Sequence, residues 1–240
     1  MKILSVDWDY FINASAEQRY AMFPDGGNEN LPLYLTNLIW VSHYNGELEK
    51  IGIKENDLDI IKNVIANNFD SIMIADSHKH IYNFIEENLD DYSDTISVTN
   101  VDFHHDLYGI NDDSRGIDCG NWMVNLFKNY DCEYNWVNQD DSDKHLDDCN
   151  FCKINLKGIK DIEKENYDLL YICRSSVWSP PHLDKYFIDA FNPLIMQNKI
   201  EVQYETDIFN NRYNEEFLDM VNQNKMVMEN LKNRQYNIEK

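Results

Sequence analysis

The sequence predicts an α/β fold, a three-layer α/β/α sandwich with helices on both faces of a mostly parallel sheet. Short apolar segments alternate with segments of helical periodicity along most of the 240 residues, which is typical of parallel sheets covered by helices. Acidic residues and histidines follow three of the predicted strands, and ligands in such folds bind at the carboxyl ends of strands. The length suits one large domain, or one with a small appendage, and we expect a single domain over residues 1–240.

The first third of the chain contains one predicted strand and two predicted helices. Residues 2–7, KILSVD, form an apolar run that enters an acidic turn and is predicted to be a buried strand. Two prolines and two glycines predict a long loop over 17–32. Apolar residues at helical spacing then predict helices over 33–44 and 57–69.

The middle of the chain has the most regular alternation. SIMIAD (71–76) is an apolar, β-branched run predicted to be a buried strand, and 80–89 is predicted to be an amphipathic helix. TISVTNVD (95–102) predicts the next strand, and GNWMVNLFKNY (120–130) predicts the helix that follows it.

The last part of the chain completes the predicted sandwich. EYNWVNQ (133–139), FCKINL (151–156) and DLLYICRS (168–175) are rich in β-branched and aromatic residues and predict strands. Residues 181–195 predict a helix that begins with proline, a favoured first position. Residues 214–233 predict a final amphipathic helix with a polar end.

The net charge limits the classes of partner. The chain has 21 basic and 43 acidic residues, a formal charge of −22 at pH 7. Such a field repels nucleic acid and attracts metal ions and basic peptides. No apolar stretch reaches the roughly 18 residues of a membrane-spanning helix, and the N-terminal apolar run is too short for a signal peptide. We therefore expect a cytoplasmic protein with neither nucleic-acid nor membrane partners.

The chain has five cysteines, an odd number in a long chain, so they fit reduced thiols better than a disulfide framework. Cys149 and Cys152 form a CxxC pair with Cys132 and His145 upstream. A structural zinc site is the alternative, but one CxxC pair without a second pair is weak evidence for it.

Three predicted strand ends carry metal-binding residue types. Asp7 and Asp9 follow the first strand, His78 lies in the turn after 71–76, and DFHHD (102–106) follows the third. Residues at alternating positions of an extended segment share a face. Solvated turns are the ordinary alternative for each cluster, but clustered carboxylates are costly unless a cation lies between them. The combined set suits a pair of manganese ions, and the ligands are Asp7, Asp9, His78, Asp102, His104 and Asp106.

These motifs resemble those of the arginase-like ureohydrolases. SVDWDYF resembles the SxDxDxxDP element of that family, DFHHD resembles its DAHxD element, and ADSHKH resembles its strand-to-helix turn ending in GGDH. The proline of the first element is absent, and that element comes first in the chain, whereas in arginases it comes last. This permuted order, with CGNWM and RSSVWSPPHLD, is closer to an atypical branch that includes peptide arginases. Those enzymes convert arginine side chains of ribosomally made peptides to ornithine.

The resemblance covers the first strand and roughly residues 71–125, with a looser match near 170–190. It implies an arginase-like fold with two Mn²⁺ ions per chain. Asp7 and Asp102 would bridge the ions, His78 and Asp106 would complete one site, and His104 and Asp9 the other. Since DSHKH offers two histidines, His78 is preferred over His80 because it lies nearer the strand end.

The implied activity is manganese-dependent hydrolysis of the arginine guanidinium to ornithine and urea, with an arginine-containing peptide as substrate. Free arginine or another small guanidino compound is the near alternative. A mononuclear zinc deacetylase of the same superfamily and a non-catalytic metal-binding protein of this fold are the others. Nothing in the composition predicts an oligomeric state.

Further residues are candidates for proton transfer and substrate binding. His182 and His105 are the candidate general acids, since imidazole titrates in the useful range, although His105 follows a ligand and would point away from it in a strand. Each of the others has an ordinary alternative in packing, capping or solvation. The candidate substrate-binding residues are Asn121, Asp118, Trp178 and Asp184.

Overall fold

The computed structural model describes most of the chain. The described residues are 1–24, 31–89, 95–110, 112, 114, 116–144, 153–197 and 202–238. Among the helices of this part of the chain, none is both long and apolar enough to cross a lipid bilayer.

A seven-stranded sheet in which every neighbouring pair is parallel forms the centre of the molecule. The strands are β1 Lys2–Asp7, β4 Ser71–Ala75, β5 Ile96–Val101, β6 Cys132–Val137, β7 Ile154–Lys157, β8 Leu169–Cys173 and β9 Val202–Tyr204. Their order across the sheet is β7-β6-β5-β1-β8-β4-β9. Two short strands, β2 (Ile12–Asn13) and β3 (Gly52–Ile53), pair antiparallel beside it.

In the described parts of the chain, seven α-helices accompany the strands. They are α1 Ala16–Met22, α2 Leu33–His43, α3 Glu55–Ile65, α4 His80–Glu87, α5 Trp122–Asn129, α6 Asp184–Gln197 and α7 Glu215–Ile238. Short 3₁₀ helices lie at Trp8–Phe11, Leu48–Lys50, Ile159–Lys164 and Pro181–Leu183.

Alternation along the strands separates two apolar cores. Leu4 of β1 packs in a core with residues of α3 and α6, whereas its neighbour Ile3 packs in a core with residues of α4 and α5. This is the period of two expected of strands buried on both faces. The predicted three-layer α/β/α sandwich is therefore confirmed. A third apolar cluster joins α2 to α7 through Trp40, Phe217 and Val221.

The structure contains several elements that were not predicted, including the short strands β2 and β3. The predicted loop 17–32 contains most of α1. This helix begins with a capping box at Ser15, in which the Ser15 hydroxyl accepts from the Gln18 backbone amide and the Gln18 side chain accepts from the Ser15 backbone amide. Strand β9 was not predicted, and it pairs with β4 at the edge of the sheet. Its three residues are too few to show a periodic pattern.

Candidate metal centre

The candidate centre lies where β1, β4, β5 and β8 end. β1 is flanked by β5 and β8, and β8 also pairs with β4. Asp7 is level with Cys173 in this register, and Cys173 is level with Ala75. Asp102 comes one residue after β5, and His78 three residues after β4. Parallel order alone therefore brings together three segments that are far apart in the sequence.

The His78 imidazole faces three carboxylates. Its Nδ1 lies 3.2 Å from an oxygen of Asp7, 3.2 Å from one of Asp102 and 3.1 Å from one of Asp106. The other ring nitrogen, Nε2, lies 2.7 Å from the hydroxyl of Ser5. Nδ1 is thus the atom directed at the carboxylates, and the Ser5 contact fixes the orientation of the ring.

A second imidazole completes a second group beside the first. His104 Nδ1 lies 3.0 Å from Asp9 Oδ2 and 3.8 Å from Asp102 Oδ1. Two groups of three residues could each hold a metal ion, because one ligand atom per residue lies within 4.8 Å of the other two. The first group is Asp9, Asp102 and His104, and the second is His78, Asp102 and Asp106. Asp102 belongs to both groups, so it directs one carboxylate oxygen toward each imidazole.

The carboxylates of this cluster disfavour one another's charge. Burial, together with the neighbouring carboxylates, raises the pKa of Asp7 to about 6. Burial and the charge of Asp106 raise the pKa of Asp102 to about 7. Burial acts the same way on Asp9, but His104, Arg19 and the Phe103 amide together outweigh it and lower the pKa of Asp9. Asp7 and Asp102 are therefore held where their ionised forms need a compensating cation.

The carboxylates also raise the pKa of both imidazoles, so a positive charge is favoured at this position. Burial opposes protonation of His104, yet Asp9 raises its pKa to about 9. Burial opposes protonation of His78 as well, and Asp106 with its neighbours raises that pKa well above the ordinary value. A divalent ion would supply this charge, and mixed carboxylate and imidazole ligands suit manganese. Each of these two groups of residues could therefore hold a metal ion.

Several neighbours hold the proposed ligands in place. The Trp122 indole N–H donates to Asp106 Oδ2 at 2.5 Å, and the Asn100 amide donates to Asp102 Oδ2 at 3.1 Å. Asp106 itself has a φ of 54°, in the left-handed region. Such secondary contacts orient metal ligands and are part of a metal site.

The predicted substrate residues Asn121 and Asp118 build the turn before α5. The Asn121 side chain accepts from the Asp118 amide at 2.8 Å and donates to the Gly116 carbonyl at 2.9 Å. Asp118 accepts from the Gly120 amide at 2.9 Å. These bonds hold the turn that directly precedes Trp122, whose indole donates to Asp106.

The predicted substrate residue Trp178 contacts a proposed ligand, His104, through its own side chain. Its ring lies 5.6 Å from that of His104, at 53° to it. Trp178 is half-buried. It therefore offers an aromatic face next to the proposed His104 position.

Asp184 lies in a buried ion network instead of facing the cluster. Its carboxylate is 2.6 Å from Arg174 Nη2 and 2.7 Å from Arg212 Nη2, and it also accepts from the Arg212 amide at 2.8 Å. All three side chains are at most 1% exposed. These contacts assign Asp184 a part in joining β8, α6 and the segment before α7.

The two histidines predicted to donate protons make other contacts. His182 Nδ1 lies 2.6 Å from the Tyr44 hydroxyl, and its Nε2 lies 2.8 Å from the Ile51 carbonyl oxygen. His105 Nδ1 accepts from the Leu107 amide at 2.9 Å, and the ring lies 4.2 Å from that of Tyr108. These contacts engage both nitrogens of His182 and one nitrogen of His105 with groups outside the proposed ligand set.

The structure brings His78 to the cluster, whereas His80 lies 3.2 Å from Glu205 with its side chain about 35% exposed. His145, Cys149 and Cys152 of the alternative zinc site lie outside the described residues. Cys132 is half-buried at the amino end of β6.

Several residues near the ligands were missed in the sequence, Trp122 and Asn100 among them. The Ser175 hydroxyl donates to Asp7 Oδ2 at 2.7 Å, and Cys173 Sγ lies 3.3 Å from that hydroxyl. Arg19, on α1, lies 3.9 Å from Asp9 Oδ2. Ser5 had a usable signal, because it lies two residues before Asp7 on the same face of β1.

No family model matches the chain, and no similar curated protein or solved structure is found.

Proposed function

We propose that this chain is a binuclear, manganese-dependent hydrolase of the arginase type that converts the arginine guanidinium to the ornithine amine and urea. The observation that carries the proposal is the position of Asp102, whose two carboxylate oxygens face two different imidazoles. A carboxylate shared in this way is suited to bridging two ions, and paired ions suit hydrolysis.

The ligand assignment follows the two groups of the centre. Asp102 and Asp7 would bridge the ions, one of which would be completed by His78 and the other by His104. Asp106 belongs with His78 and Asp9 with His104. When bound, a pair of divalent ions lowers the pKa of a shared water and so supplies a nucleophile near neutral pH.

The chain's own residues would orient the ligands and the substrate. Ser5 and Trp122 hold His78 and Asp106, and burial of the cluster limits access of bulk water. Trp178 offers its face to a planar cation, a favourable contact for guanidinium. Hydrolysis adds one water, breaks the bond between the guanidinium carbon and the side-chain nitrogen, and leaves a protonated amine.

Arginine within a peptide is the proposed substrate. The formal charge of −22 favours cationic peptides over neutral or acidic ones. The permuted branch that the motifs resemble includes peptide arginases, which act on arginine within peptides. Free arginine and small guanidino compounds are the alternatives that the experiment separates.

The test incubates the manganese-loaded chain with arginine-containing peptides, free arginine and agmatine. Conversion is followed by mass spectrometry as the loss of one CN2H2 unit per arginine, together with release of urea. Asp102→Asn is expected to abolish conversion because it alters the shared carboxylate. Asp161→Asn, an exposed carboxylate paired with Lys164, is the control that retains it. If the metal-loaded chain converts none of these compounds, the proposal is wrong.

A further inference from the structure

Cys173 brings sulfur to the edge of the proposed centre. It is the last residue of β8, it is fully buried, and it is level with Asp7 in the neighbouring β1. One ligand atom each from Asp7, His78 and Cys173 lies within 4.8 Å of the other two. The sulfur also lies 3.3 Å from the Ser175 hydroxyl, which itself donates to Asp7. Cys173 therefore contacts polar groups of the centre as well as the apolar core.

The chemistry of this third group differs from that of the other two. It combines a thiol, an imidazole and a carboxylate, whereas the groups around Asp102 contain only oxygen and nitrogen ligands. Soft thiolates favour zinc over manganese. Zinc is commonly held by three protein ligands drawn from cysteine, histidine and acidic residues, with a fourth position open. The ligand set thus matches zinc.

Binding at this group and at the manganese pair would be mutually exclusive. His78 has one nitrogen, Nδ1, directed at the carboxylates, while its Nε2 is engaged with Ser5. An ion held by Cys173 would require His78 and Asp7, which the proposed pair also requires.

We propose that Asp7, His78 and Cys173 form a thiolate-containing zinc site that competes with the manganese pair and so inhibits the hydrolase. The inhibitory part of this inference rests on the proposed function, whereas the existence of the site does not. On binding, the thiol proton leaves to solvent and a sulfur–zinc bond replaces it. Zinc then occupies the ligands without assembling the binuclear arrangement.

The test uses cobalt(II) as a spectroscopic substitute for zinc in the metal-free, full-length chain. Sulfur ligation gives a charge-transfer absorption in the near ultraviolet that oxygen and nitrogen ligands do not give. The measurement is made in a Cys149→Ser, Cys152→Ser background, because this CxxC pair is itself a potential thiolate site. We expect one sulfur-ligated cobalt per chain. Cobalt binding without the sulfur band overturns the proposal, as does the absence of cobalt binding.

Two further substitutions in that background test the assignment. Cys173→Ser is expected to lose the band, while Cys132→Ser, at the opposite end of the sheet, keeps it. Loss of the band in the Cys132 variant alone overturns the assignment. Because Cys173→Ser alters a buried position, its far-ultraviolet circular dichroism is compared with that of the parent. If the Cys173→Ser variant does not fold, the parent protein is titrated with zinc instead. We expect its sulfur band to disappear as one equivalent of zinc displaces the cobalt. A band that persists under excess zinc overturns the site.

Activity then separates this inference from the proposed function. Zinc is expected to inhibit manganese-loaded parent protein, and Cys173→Ser is expected to need at least tenfold more zinc for the same inhibition. Equal zinc sensitivity overturns the inhibitory role. A sulfur band in a protein that hydrolyses no guanidino compound would support the zinc site while refuting the hydrolase.

Discussion

Ser5→Ala tests whether His78 is a metal ligand whose ring is oriented by the Ser5 hydroxyl. If Nδ1 binds the metal, Nε2 carries the proton and donates to the Ser5 hydroxyl at 2.7 Å. Both residues are at most 1% exposed, so the substitution leaves a buried N–H without its acceptor. Such a loss costs about 1–3 kcal/mol. Removal of a hydrogen bond to a metal ligand lowers metal affinity roughly 10- to 100-fold, which corresponds to a similar range of free energy.

The assay is competition for Mn²⁺ between the protein and a fluorescent chelator, with stability to urea measured on the same samples. Ser179→Ala is the matched control, because that buried hydroxyl donates to the Arg174 carbonyl instead. The control is expected to keep the parent's affinity. An unchanged manganese affinity in folded Ser5→Ala protein, or an equal loss in the control, would refute the assignment of His78.

Three other substitutions test separate parts of the structure. Trp122→Phe keeps an aromatic ring but removes the donor to Asp106, so manganese affinity measured by equilibrium dialysis should fall about tenfold; unchanged affinity would contradict this. Asp184→Asn weakens a buried pairing with two arginines and should cost about 3–5 kcal/mol of unfolding free energy in urea, whereas exposed Asp59→Asn should cost almost nothing. Burial lowers the pKa of His182, so its neutral form stabilises the fold above its unfolded pKa of about 6.5 and this contribution is lost as pH falls. His182→Gln should therefore destabilise the protein more at pH 8 than at pH 5; an equal effect at both would contradict the shift.

The sequence predicted the convergence of the ligands because that convergence follows from the parallel direction of the strands. Asp7, His78 and Asp102 each follow a recognisable apolar strand, and parallel strands end at one edge of the sheet. Which of two nearby histidines faces the cluster was also predictable, since His78 is nearer the strand end. The distances between these side chains depend on the register of β1, β5 and β8, which no local pattern gives.

Arg19 was missed because α1 was assigned to a loop. The glycines and prolines of 17–32 dominate that stretch, but SAEQ at 15–18 is itself a capping-box pattern. Recognition of that pattern would have predicted the helix. It would not have placed Arg19 against Asp9, because this contact joins two separate elements.

Cys173 and Ser175 were missed for a different reason. Both belong to DLLYICRS, which reads as an ordinary buried strand, and their relation to Asp7 arises only from the pairing of β8 with β1. Ser175 also has a φ of 50°, a left-handed conformation that is uncommon for serine. The surrounding structure imposes this backbone conformation, and the hydroxyl thereby reaches Asp7.

The central claim is that one shared carboxylate joins two metal positions, and anomalous scattering from crystals grown with Mn²⁺ tests it most directly. Maps at the manganese absorption edge should show two peaks per chain, both beside Asp102, one next to His78 and the other next to His104. A single peak, or peaks located away from Asp102, would contradict the binuclear assignment.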